Sequence, residues 1–143
     1  MKTGIEALTD VWKLVNVPEV KTLIDGVVIR QRRPKGSNLF DVVVNGLGLT
    51  NQMLQQGIIN INVHGTNLKN AKFGAFLDDQ FPDLDKLNTI AKAIEPLVDT
   101  IFIDSWHLDI DRSAQPFQDT DGSWYVNIRL NYYYSVLNNF KNI

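Results

Sequence analysis

The chain contains no cysteine. Disulfide staples, thiolate metal ligands and thiol nucleophiles are therefore excluded, and the composition fits a reducing compartment. Histidine is scarce too, with only His64 and His107, and no short-spaced His motif accompanies either. A metal site would have to recruit carboxylates such as Asp109 or Asp111. Neither charge sign dominates: 14 Lys and Arg stand against 16 Asp and Glu, a net charge of −2. That balance exerts no overall pull toward nucleic acid or anionic membrane. No apolar run approaches the ~20 residues of a membrane span, and Met1–Glu6 lacks the apolar core of a signal peptide. A soluble protein without membrane partners, made in the cytoplasm, is expected.

Complete chemical motifs are equally lacking. Gly46-Leu47-Gly48 follows a strand-like run but has neither a third glycine nor an immediate helix, so it is no phosphate loop. Asp119-Thr120-Asp121-Gly122 opens like a calcium loop without the later ligands, and reads better as a turn. No serine sits in a nucleophile elbow. These gaps argue against an enzyme and against any bound cofactor.

What the chain does have is apolar residues alternating with asparagine, in Asp41–Asn45, Gly57–His64 and Trp124–Tyr132. Alternate side chains of a strand point to opposite faces, so Ile59, Ile61 and Val63 suit a core while Asn60, Asn62 and His64 share the other side. Asn127, Arg129 and Asn131 repeat the pattern. Amides carry donors and acceptors without charge, which suits neutral hydrogen bonding to a partner better than acid–base work.

Around these strands, 143 residues with 44% hydrophobic content are enough for one α+β domain spanning 1–143. Ile5, Leu8, Val11, Trp12 and Val15 predict an amphipathic helix over 3–16, stopped at Val17-Pro18. Strands are expected over 26–32, 39–48 and 57–65. Residues 66–82, with Phe73, Phe76 and Phe81 but no regular period, read as a long loop or arm. Leu84, Leu87, Ile90, Ala91, Ile94, Leu97 and Val98 predict a second helix to about residue 99, its last turn bent or frayed by Pro96. Strands over 101–111 and 123–134 would pair as a hairpin through a long loop ending in the turn Asp121-Gly122. The expected fold is a mainly antiparallel or mixed sheet of about five strands with the two helices packed on it, and a C-terminal tail over 135–143.

Two features suggest contact surfaces. Residues 1–36 carry seven bases against four acids, +3, leaving −5 for the rest. The bases concentrate in Arg30, Arg32, Arg33 and Lys35, where a DNA- or partner-facing role competes with simple protection of a sheet edge. The candidate subunit interface is Asn60, Asn62, His64, Phe73, Phe76, Asn127, Arg129 and Asn131. Two other uses of the same residues stay open. One is a small-molecule or peptide-binding domain working through the polar sheet face. The other is a small hydrolase or isomerase in which His64 and His107, approaching one another across the sheet, act with Asp109.

Asp41-Val42-Val43-Val44-Asn45 after a basic Arg33-Pro34 loop, then Gln56–Val63, a long loop, an amphipathic helix and Ser123–Tyr132, resembles the tail completion or tail terminator proteins of long-tailed phages and prophages. The resemblance covers roughly residues 5–134. Phe40 stands where that family usually has an acid, and Thr66-Asn67 where it has Pro-Asp. The resemblance implies a non-catalytic α+β subunit that closes into a homo-oligomeric ring such as a hexamer. It would end the tail tube, contact the tail tube protein and the head–tail connector proteins, and face passing DNA. Such a protein works in the host bacterial cytoplasm during assembly and then in the virion tail.

Overall fold

A computed structural model describes residues 1–136, so the expected C-terminal tail lies outside the described residues from 137 onward. The described residues fold as a single α+β domain: a mixed six-stranded sheet, three helices and a separate two-stranded hairpin.

Helix α1, Gly4–Val15, begins where Thr3 accepts from the Glu6 amide while the Glu6 carboxylate accepts from the Thr3 amide, a reciprocal cap. Its buried stripe is Ala7, Leu8, Val11 and Val15. Ile5, expected in that stripe, is instead 70% exposed. Pro18 does not lead into a loop: it opens α2, Pro18–Lys21, because proline's missing amide costs nothing in a first turn. Helix α3, Leu84–Val98, is capped by Asp83 and buries Leu87, Ile90, Ala91, Ile94 and Val98. It runs two residues beyond Pro96, whose lost amide falls in the last turns, where little helix remains to break.

The strands of the main sheet are β1 (Val28–Arg30), β2 (Asp41–Leu49), β3 (Leu54–Gly65), β6 (Ile101–Ile103), β7 (Trp106–Gln118) and β8 (Trp124–Ser135), in spatial order β1-β2-β3-β8-β7-β6, and β4 (Ala71–Phe73) with β5 (Phe76–Asp78) forms the separate hairpin. Strand β1 lies parallel to β2, and every other pair is antiparallel. A parallel return normally takes a longer crossover. Here β1 has only three residues, so the loop 31–40 can fold back. Gly26 is required two residues before β1, where a Cβ would lie 2.0 Å from Asp41 Oδ1.

The run 101–111 is two strands rather than one, because Asp104, at φ 51°, reverses the chain between β6 and β7. Aspartate tolerates this left-handed conformation better than most residues. Strand β7 extends to Gln118, so its link to β8 is a tight turn closed by the Asp119 amide on the Ser123 carbonyl at 2.7 Å, not a long loop.

Helices α1 and α3 cover one sheet face, burying Val42, Val44, Ile59, Ile61, Val63, Leu108, Ile128, Leu130 and Tyr132. The alternation expected of β3 is observed: Ile59, Ile61 and Val63 are at most 4% exposed, and Asn60, Asn62 and His64 are half-buried on the opposite face. Tyr132 donates to Asp10 Oδ2 at 2.6 Å. Burial and that carboxylate push the phenol above its ordinary pKa.

Candidate functional site

The face away from the helices carries the asparagines, and they are used on one another. Asn127, 7% exposed, donates to Asn62 Oδ1 at 2.8 Å and Asn60 Oδ1 at 3.1 Å, and accepts from Arg112 Nη2 at 2.9 Å. Both functions of its amide are thereby engaged. Asn131 donates to Asp109 at 3.2 Å. Arg129 Nε lies 3.2 Å from Asp111 Oδ2, yet its N–H is not aimed at that oxygen and makes no hydrogen bond. It is a loose surface pair of little energetic weight, since both groups are more than a third exposed. The amide face is therefore cross-linked through β3, β8 and β7, with Asn60 and Asn62 contributing their carbonyl oxygens to Asn127.

The two histidines do not meet. His64 pairs in register with Tyr125, and His107 with Tyr133. Those tyrosines are eight residues apart along β8, which is about 26 Å. A hydrolase or metal site uniting His64, His107 and Asp109 is thus geometrically closed off. Each histidine belongs instead to an aromatic cluster at its own end of the sheet. His107 stacks between Tyr133, with centroids 4.5 Å apart, and Phe102, at 5.0 Å. His64 lies 5.2 Å from Tyr125, which stacks on Phe117 at 5.8 Å. Burial, then the neighbouring Arg33 cation, lowers the His64 pKa, so the ring is neutral near pH 7.

The basic stretch divides. Arg33 Nε donates to Asp41 Oδ2 at 2.9 Å, and Arg33 also donates to the Leu39 carbonyl. Asp41, 1% exposed, accepts further from Ser37 at 2.6 Å and from the Val27 amide at 2.9 Å. Burial opposes ionisation of Asp41, but these donors outweigh it and hold its carboxyl below the ordinary carboxylate range. Arg33, expected to face a partner, is thus the clasp that closes the β1–β2 return. Arg30, Arg32 and Lys35 are exposed. Arg30 rests over Trp12, with Nη1 donating to Thr9 Oγ1 at 2.8 Å, on the helix side of an edge strand.

Residues 66–82, expected as an irregular loop or arm, hold a two-stranded antiparallel hairpin, β4 (Ala71–Phe73) and β5 (Phe76–Asp78), outside the main sheet. Its short strands and reversed turn give too few residues for a period to show. The base is pinned by the Leu68 amide on the Phe81 carbonyl at 2.9 Å and by Trp124 Nε1 on the Gln80 carbonyl at 2.8 Å. Phe73 packs on Phe81, while Phe76 and Leu77 are 77% and 65% exposed.

Sequence reasoning missed Arg112, which locks Asn127, and the Asp41–Arg33 clasp. Both link residues by strand register or loop return, and no spacing along the chain marks them. Among the described residues no group of three or more His, Asp and Glu side chains is placed to hold a metal ion, and no helix is long and apolar enough to cross a membrane. Neither a scan against protein-family models nor a search of curated proteins finds a match to this chain.

Proposed function

We propose that this protein is a non-catalytic assembly subunit of the tail terminator kind. Its copies close into a ring that ends a phage tail tube, contacts the tail tube protein and meets the head–tail connector. The observation that carries the reading is the projecting hairpin β4–β5 with Phe76 and Leu77 turned to solvent. A two-stranded hairpin is marginally stable alone, and an apolar tip held away from its own core is what a contact with another subunit would cover. The order of elements supports the same reading: a long helix, three strands, a long excursion, a second long helix and closing antiparallel strands follow the order of motifs on which the family resemblance rests. Opposite net charges of residues 1–36 and the remainder suit a heterologous interface, in which one patch meets a different patch of the next copy.

The test is mass by light scattering at high protein concentration, alone and with a phage tail tube protein. Growth beyond the monomer under at least one condition is expected, because subunits of this kind can wait for a tube end to template them. A strict monomer under both conditions would overturn the proposal.

A further inference from the structure

At the end of the sheet opposite the hairpin, a cleft of about 290 Å³ opens between the first turns of α1 and the end of β2. Its walls are Ile5, Ala7, Leu8, Leu49 and Ile59. Two of the β2 residues beside them are glycines, and a Cβ on Gly48 would meet nothing within 4 Å. Ile5 at the mouth is 70% exposed, and Leu47, between the two glycines, 72%. We propose that the tip Phe76–Leu77 of one copy seats in this cleft of a second copy. The proposal rests on the ring-subunit reading and names the surfaces that reading leaves open.

Three observations select a second copy as the occupant. The first is distance. Leu49 pairs with Gly57, whereas the hairpin leaves β3 at Gly65, eight residues or about 26 Å further along. The six residue-to-residue steps from Leu68 to Gly74 extend at most roughly 20 Å, from a base tied to Trp124 at the far end. In its own subunit the tip stands in solvent, Phe76 77% and Leu77 65% exposed, and does not fill its own cleft. The second is charge. Arg30 and Arg32 flank Gln31, which lines the cleft, and exposed Glu6 sits on its helical rim. The tip is followed by Asp78 and Asp79, and Lys72 lies cross-strand from Leu77. Bases around the cleft match acids beside the tip, and the rim acid matches the tip's lysine. The third is directional: a knob at one end and a hole at the other end of one subunit make a head-to-tail contact, which closes into a ring when the rotation allows.

Two variants separate knob from hole, and both alter exposed side chains, so folding is spared. Phe76→Asp should abolish the knob and keep the hole; Ile5→Arg should do the reverse. Each alone should sediment as a monomer where the unmodified protein associates. An equal mixture should form a dimer and nothing larger, because only one competent contact exists between the two. A covalent version exploits the absence of cysteine: oxidised Ile5→Cys/Leu77→Cys should yield a ladder of linked copies, and either single cysteine variant no more than a dimer. Association that survives both Phe76→Asp and Ile5→Arg would overturn the docking and leave the ring reading standing, as would a mixture that stays monomeric. If the unmodified chain never associates and the double-cysteine variant gives no ladder, both fall.

Discussion

At the scale of single residues, the exposed charges and the buried ones behave as different substances. Arg32 and Lys35 stand in solvent, so replacing both with Gln should change the unfolding free energy by less than about 0.5 kcal/mol each. Arg33→Gln should cost about 2–4 kcal/mol, because it leaves the buried Asp41 carboxylate with fewer donors. Urea unfolding of the two variants decides this, and equal stability would mean that the clasp contributes nothing. Acidity should act through the same residues in separate windows. His64 has a lowered pKa in the folded chain, so the unfolded state binds its proton first and stability falls as pH drops below the unfolded value of about 6.5. Asp41, also lowered, keeps its contribution above its unfolded value and loses it only as pH falls below about 4. Melting temperature followed from about pH 7.5 to about pH 5.5 should therefore decline in the parent and decline less in His64→Gln.

At the scale of elements, the hairpin is the part of the chain least needed by the core. None of its residues belongs to the buried cluster, and Phe81, on which Phe73 rests, lies outside it. Deleting residues 69–79 should leave a folded domain with native near-ultraviolet circular dichroism that no longer self-associates. Loss of the fold would instead make the hairpin part of the domain's own structure. The amide network is the contrasting element. Asn127→Ala removes the partner of Asn60, Asn62 and Arg112 together, and should destabilise by about 1–3 kcal/mol in a thermal melt, with α1 and α3 unaltered. The helices were legible because their signal is local, an apolar stripe at three- and four-residue spacing. The break of 101–111 at Asp104 was not, because Ile101–Ile103 and Trp106–Ile110 are each strand-like and only the positive φ of one aspartate parts them.

At the scale of the whole molecule, head-to-tail association between a basic rim and acidic tip residues predicts that assembly weakens as salt rises, by screening of the exposed charges. Sedimentation of the unmodified protein from low to high salt should show this. Insensitivity to salt would assign the contact to apolar burial alone. The amino-acid sequence by itself determined the fold class, the two long helices, the face of β3 that is buried and the lack of a complete catalytic motif, because each follows from side-chain type and short-range period. Tertiary structure alone decided the fates of individual side chains. It separated His64 from His107 by the length of a strand, drew Arg33 off the surface onto Asp41, turned the asparagines toward one another and left Ile5 outside its helix's buried stripe. Register and loop return bring residues together across long stretches of chain, and the pairwise free energies that choose those partners have no signature in the spacing of the residues themselves.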